Sequence, residues 1–138
     1  MRVSTRRIRS ERHLRLAVVV TAVLAAAVMA IEARAELVEI AWDKAGRFET
    51  AVSLAPGKFA EVCGKLAQRQ SVAWSFKGDR PMNFNIHYHE GKQVVFAAKQ
   101  DAAVDAQGKL DVRLSQDYCW MWTNKTDLPA KFLLVLMR

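Results

Sequence analysis

The sequence lacks the local motifs that mark common classes of hydrolase and nucleotide-binding enzyme. It contains no G-x-S-x-G segment for a serine nucleophile and no H-E-x-x-H segment for a metalloprotease zinc. Its six glycines are dispersed along 138 residues, so no glycine-rich loop is available to hold a phosphate. These absences predict a protein that has no catalytic residues and is not an enzyme.

The chain also lacks a basic surface beyond its first 35 residues. Seven arginines and two glutamates lie within residues 1–35, and they carry most of the net charge of +7. The remaining basic and acidic residues nearly balance, with no basic stripe among them. We therefore expect no nucleic-acid partner.

Residues 1–35 have the three-part pattern of a secretory signal peptide. Residues 1–15 are basic, residues 16–31 carry no charge, and Ala33 and Ala35 supply small residues at the expected cleavage site. A span of the bilayer needs about 20 apolar residues, and this run is shorter, which favours cleavage over an uncleaved signal anchor. An uncleaved segment is the only membrane contact that we expect. The mature chain, residues 36–138, is then periplasmic or secreted.

Cys63 and Cys119 are the only cysteines, and both lie in the part that is expected to be exported. An oxidising compartment favours a disulfide between them. The long loop that it closes predicts a stabilisation of about 4 kcal/mol in the chain-entropy model. The alternatives are two buried free thiols, or one thiol used by a partner.

The fold class follows from an alternation of apolar and polar residues along residues 36–138. In the run NFNIHYHE, Phe84, Ile86 and Tyr88 share one face of a strand, and no segment shows a sustained helical period. We predict an all-β protein, an antiparallel β-sandwich of eight or nine short strands, preceded by an N-terminal signal helix. The predicted strands are residues 37–42, 47–54, 59–66 (a strand or a helical turn), 71–76, 82–89, 93–98, 110–114, 117–123 and 131–137.

Two further expectations concern connections and burial. The turn-forming residues 78–81 are expected to end a strand, and the small, polar residues 101–108 to form a connection. The last run contains FLLVLM, which is apolar at consecutive positions. Such a run is typical of a strand that is buried on both faces.

Four segments, PGKFAEVC, VAWSF, NFNIHYHEGK and DYCWMWTN, follow one another in an order that resembles the GOLD (Golgi dynamics) β-sandwich. That domain occurs in eukaryotic cargo receptors and in some lipid-transfer proteins. The resemblance covers residues 52–137, and it implies that Cys63 pairs with Cys119, which Tyr118 precedes and Asn124 follows. It also implies a binding or interaction domain, without indicating its ligand. The long, arginine-rich leader favours an exported bacterial relative, and the expected partner is a protein or a lipid. The cargo receptors continue into a coiled coil and a membrane span, whereas this chain stops at Arg138.

The polar face of the run 83–89 holds one candidate site. His87 and His89 lie two residues apart, so their imidazoles share a face of the strand and could bind copper or zinc, with Glu90 as a further ligand. The alternatives are a solvated polar surface and a binding site for a small molecule or a partner, to which Asn83 and Asn85 would contribute. A histidine that faced a carboxylate in a pocket could also act as an acid or a base.

A second candidate site is the aromatic run near the C-terminus. Tyr118, Trp120 and Trp122 share one face of the predicted strand, and Cys119 lies on the other. If Cys119 faces the core, the three aromatic residues form an exposed patch that would mark a binding surface. If the aromatic face packs inward, these residues belong to the core, as aromatic side chains in sandwiches usually do.

Overall fold

The computed structural model describes residues 36–138, and the predicted signal peptide and its helix lie outside them. Within these residues no helix has the length and the hydrophobicity that a membrane span requires. The elements are seven β-strands: β1 (Glu36–Glu39), β2 (Arg47–Leu54), β3 (Phe59–Leu66), β4 (Ser71–Glu90), β5 (Gln93–Asp111), β6 (Gln116–Thr123) and β7 (Ala130–Met137).

The strands form two layers that share the long hairpin β4–β5. The first layer has the order β1–β3–β6–β4–β5 and uses residues 83–88 of β4. The second layer has the order β2–β7–β4–β5 and uses residues 73–78 of β4. All pairs are antiparallel except β1 with β3. The prediction of an all-β sandwich is therefore confirmed.

Aromatic side chains fill the space between the layers. Trp122 of β6 stacks on Phe132 of β7 with ring centroids 4.2 Å apart, and Phe76 contacts Phe84 at 4.8 Å. The alternation in β4 and β6 directs these rings inward, where aliphatic residues of β2, β3 and β7 surround them. Burial of this apolar surface is the main force that holds the two layers together.

The prediction of eight or nine strands is wrong because neither residues 78–81 nor residues 101–108 interrupt a strand, which leaves seven strands. Beyond Gly78, β4 leaves β7, and it joins β6 from Asn83 onward. Its pairing with β5 shifts register between Lys77 and Met82. Such an irregularity lets one strand turn a corner from one sheet into the other. Residues 101–108, predicted as a connection, are the matching part of β5.

The prediction for the last strand is also wrong, because β7 is buried on one face only. Phe132, Leu134 and Leu136 point into the core, whereas Leu133 is 42% exposed and Met137 is 40% exposed. The second layer has the core on one side and solvent on the other, so β7 alternates like its neighbours. Its continuous apolar run conceals this alternation in the sequence.

Asn124, directly after β6, is a fully buried polar residue that joins three segments. Its Nδ2 donates hydrogen bonds to the carbonyl oxygens of Leu54 at 3.2 Å and Leu128 at 2.8 Å. Its Oδ1 accepts hydrogen bonds from the backbone N and from Oγ1 of Thr126, at 3.0 and 2.7 Å. The side chain therefore fixes the turn between β6 and β7 against the end of β2.

Replacing Asn124 with Ala is expected to lower the free energy of unfolding by about 1–3 kcal/mol. The change leaves buried carbonyl groups without their hydrogen-bond donor, and such groups are costly to leave unpaired. Urea denaturation followed by tryptophan fluorescence measures the loss. Replacing the exposed neighbour Lys125 with Ala is the matched control, and an equal effect of both changes would contradict the role of the Asn124 amide.

Candidate functional site

The polar face of β4 lies at the bottom of a cleft of about 580 Å³ on the outer face of the first layer. We call it the outer-face cleft. The residues that line it belong to the adjacent strands β3, β6, β4 and β5 and to the segment that follows β6. The residues are Glu61, Asn83, Phe84, Asn85, His87, His89, Val94, Phe96, Lys99, Asp101, Met121, Thr123 and Lys125. The structure therefore brings together His87, His89, Asn83 and Asn85, four of the residues predicted from sequence.

His87 differs from the expectation of a solvated surface, because it is only 5% exposed. Its Nδ1 lies 2.8 Å from Oδ1 of Asn85, which can only accept a hydrogen bond, so Nδ1 carries the proton and donates it. In the neutral ring, Nε2 then keeps its lone pair. This atom faces Oε1 of Glu61 at 3.8 Å.

His89 occupies the next position on the same face and is exposed. Its ring lies 5.4 Å from that of His87, edge to face. Phe96 of β5 flanks His87 on the other side, with ring centroids 6.3 Å apart. His89 and Phe96 thus cover His87 from solvent.

The structure does not bring Glu90 to the two histidines. Glu90 follows Tyr88 at the strand period of two, on the opposite face. The pKa of Tyr88 is raised by desolvation and by the adjacent Glu90 carboxylate, which agrees with this position. The carboxylate that faces His87 is instead Glu61 of β3, two strands away. Sequence reasoning missed Glu61 because strand order, which a single sequence does not reveal, places it there.

The aromatic residues of β6 do not form an exposed patch. Tyr118 is 1% exposed, and Trp120 and Trp122 are fully buried. The aromatic face packs inward because it supplies most of the apolar surface between the layers. The sequence left open whether the aromatic face is exposed or buried, and the structure shows that it is buried. Tyr118, Trp120 and Trp122 therefore belong to the core and do not form a binding surface.

Cys63 and Cys119 form the disulfide that the sequence predicts. They are direct partners in the β3–β6 pair, and His87 is the partner of Cys119 in the β6–β4 pair. The three side chains therefore form one row across the outer face of the first layer. Both cysteines are partly exposed.

The pKa of His87 is lowered below its usual value of 6.5, mainly by burial. The charge of Glu61 opposes this shift, and His89 adds to it. Because the unfolded chain takes up a proton at a higher pH than the folded one, the contribution of His87 to stability is complete above pH 6.5 and is lost as the pH falls below it.

We expect the free energy of unfolding to decrease as the pH falls below 6.5, and the change His87→Gln to weaken this dependence. Urea denaturation at a series of pH values measures it. His89 contributes only a minor part of the same shift, so the change His89→Gln should weaken the pH dependence less than His87→Gln does. If the free energy of unfolding of the His87→Gln variant depended on pH as strongly as that of the wild type, the lowered pKa of His87 would be contradicted.

Neither a protein-family model nor a curated protein matches the sequence. The fold, however, has solved counterparts among bacterial proteins. The pre-peptidase C-terminal domain of a collagenase from Bacillus anthracis is similar with a TM-score of 0.58 and 15% identity, over 74% of this chain and 96% of that one. PliG of Aeromonas hydrophila, a periplasmic inhibitor of g-type lysozyme, is similar with a TM-score of 0.56 and 13% identity, over 75% of this chain and 96% of PliG. PliG of Salmonella Typhimurium has the same TM-score at 12% identity, over 75% of this chain and 98% of that PliG.

At these identities the comparisons establish the fold alone. They agree with the β-sandwich formed by residues 36–138. The resemblance to the GOLD domain stays a prediction.

Proposed function

We propose that this protein is an exported, non-enzymatic module that binds another protein through the outer-face cleft. The observation that carries the proposal is the mixture of exposed apolar and charged side chains that β5 contributes to the edge of this cleft. Val94 is 46% exposed and Phe96 is 52% exposed, and charged residues of both signs, including Lys99 and Asp101, lie beside them. Exposed apolar side chains bordered by polar ones are typical of protein-binding surfaces.

Three observations support export and binding rather than catalysis. The leader has the pattern of a signal peptide, and the disulfide fits an oxidising compartment. In the cleft, the carboxylate of Glu61 faces a histidine that is almost fully buried, so the pair has little access to a substrate. Proteins of similar fold include periplasmic inhibitors of g-type lysozyme, which act on another protein, and the resemblance to the GOLD domain also implies binding.

Site-specific photo-cross-linking in the exporting host tests this proposal. A photoreactive residue is placed at Phe96, in the cleft, or at the comparably exposed Leu133, on the outer face of the second layer. We expect one discrete protein adduct from position 96 and none from position 133. Adducts of equal yield from both positions, or from neither, would contradict the cleft as the binding surface.

Binding of the purified partner gives the quantitative measurement. The change Phe96→Asp is expected to weaken affinity by about tenfold or more, because it places a charge in the apolar part of the interface. The change Leu133→Asp is the matched control. The first purified probe is g-type lysozyme, whose lytic activity is assayed with and without the mature protein.

Metal binding is a second candidate, and the arrangement of His87 and His89 favours it. Their rings lie 5.4 Å apart on one face, with the Glu61 carboxylate beside His87 in place of Glu90. Imidazole and carboxylate ligands suit Zn(II) and Cu(II). Native mass spectrometry of the oxidised, untagged protein with either ion tests it. Uptake of one ion that the change His89→Ala abolishes would support this site, and uptake that is independent of both histidines would exclude it.

A further inference from the structure

The surroundings of the disulfide contain more ligand atoms than a structural crosslink requires. A carboxylate oxygen of Glu61 and the sulfur atoms of Cys63 and Cys119 all lie within 4.8 Å of one another. Glu61 precedes Cys63 by two residues on β3, so both side chains project from the same face. This carboxylate is 26% exposed and has no lysine or arginine as an ion-pair partner among residues 36–138.

His87 completes the cluster from the neighbouring strand. It lies opposite Cys119 in the β6–β4 pair, and its Nε2 is 3.8 Å from the Glu61 carboxylate. The hydrogen bond from Nδ1 to Asn85 fixes the ring so that the unprotonated Nε2 points toward this carboxylate. Histidines that bind metals usually donate their other ring N–H to an oxygen in this way.

These four side chains have the chemistry of a zinc site. The Glu61 oxygen and the two sulfur atoms already lie close together, whereas His87 lies at the edge of that group and has to move closer to the sulfur atoms when zinc binds. Zinc binds thiolate sulfur at about 2.3 Å and histidine nitrogen or carboxylate oxygen at about 2.0–2.2 Å, nearly always with four ligands in a structural site. Tetrahedral geometry then separates neighbouring ligand atoms by about 3.3–3.8 Å. The 3.8 Å between Glu61 Oε1 and His87 Nε2 exceeds by about half an ångström the separation of about 3.3 Å that an oxygen and a nitrogen ligand would have.

We propose that the disulfide is the oxidised, closed form of a zinc site. Its four ligands are the thiolates of Cys63 and Cys119, the carboxylate of Glu61 and Nε2 of His87. While the sulfur atoms are bonded to each other, neither is a thiolate, and the site does not bind zinc. Reduction converts the cluster into a ligand set with two sulfur, one nitrogen and one oxygen atom. The site depends on the cluster alone and stands independently of the proposed protein partner.

Reduction of the disulfide requires a dithiol reductant in the compartment to which the protein is exported. The dithiol transfers two electrons and two protons to the disulfide, which yields two cysteine thiols and the oxidised, cyclic disulfide of the reductant. Zn²⁺ then displaces the two thiol protons as the zinc–thiolate bonds form. Both sulfur atoms belong to partly exposed residues on the outer face, where a reductant has access to them.

Cobalt titration of the reduced mature domain tests the proposal. A water-soluble phosphine reduces the disulfide without adding a competing thiol, and is itself oxidised to the phosphine oxide with one water. We expect one Co(II) per chain, with the intense visible bands of tetrahedral coordination and thiolate charge-transfer absorption, and displacement by one equivalent of Zn(II). The oxidised protein should show none of these bands. Their absence from the reduced protein would overturn the proposal.

Ligand variants separate this site from the metal site of the oxidised protein. The changes Glu61→Gln and His87→Gln are each expected to weaken zinc binding to the reduced protein by about tenfold or more, since each removes a ligand. Glu90→Gln is the matched control, because it makes the same chemical change at an exposed residue on the opposite face of β4 and should leave the affinity of the reduced protein for zinc unchanged. Binding that depends on His89, or Cu(I) binding that depends only on the cysteines, would contradict the four-ligand site.

A folding measurement covers the outcome in which reduction unfolds the domain. We then expect Zn(II) to restore the near-ultraviolet circular dichroism of the reduced protein and to raise its Tm, because binding to the folded state alone stabilises it. The Glu61→Gln variant should need about tenfold more zinc for the same recovery. Zinc that binds the reduced chain without restoring the folded signal would overturn the proposal.

Discussion

Replacing Cys119 with Ser in the mature domain is expected to lower the free energy of unfolding by about 4 kcal/mol. The disulfide joins residues 56 positions apart, and closing a long loop restricts the unfolded chain strongly. A domain of this size has only a modest margin of stability, so the effect on Tm should be large. Urea denaturation of the oxidised wild type and the variant measures the difference.

The double change Cys63→Ser and Cys119→Ser is the control for this prediction. The two cysteines form a single bond, so the double variant should lose about as much stability as the single variant. The oxidised wild type should also show no reaction with a thiol reagent before reduction. An unchanged midpoint in the variants, or ready labelling of both cysteines, would contradict the stabilising role of the bond.

Replacing Trp122 with Ala is expected to cost about 3–5 kcal/mol of stability. The side chain is fully buried and packs against Phe132 of β7 and Phe84 of β4, so its removal leaves a large cavity between the layers. Fluorescence or circular dichroism during urea denaturation measures the loss.

The exposed Leu133 serves as the control for Trp122. The change Leu133→Ala removes apolar atoms from β7, beside the Trp122 contact Phe132, but leaves no buried cavity, so it should alter stability by about 0.5 kcal/mol or less. A Trp122→Ala variant that kept its stability but lost partner binding would contradict the assignment of this face to the core.

The sequence predicted best what local alternation controls. Phe84 and Ile86 point inward and Asn83 and Asn85 outward, because a strand with one solvated face must separate apolar from polar residues. The pairing of Cys63 with Cys119 was predictable because only two cysteines occur. The bounds of β2 were also predicted correctly, since a turn and a Pro-Gly pair delimit its alternating residues.

Features that depend on strand order escaped prediction. A solvated surface was one of the alternatives for His87, but this residue is buried, with Phe96 of β5 and His89 packed against its ring. Glu61 was not considered as a ligand, since nothing local to β3 links it to β4. Residues 78–81 have the composition of a turn, but the long pairing of β4 with β5 carries the strand through them as a corner.

The central position of β7 in the second layer has a consequence for when the domain can fold. β7 lies between β2 and β4 and contacts both along its length, so β2 has no neighbour in its layer until residues 130–137 are available. These pairings join the two ends of residues 36–138, and contacts of such long range form slowly. The chain should therefore remain largely unfolded until its last strand has been made.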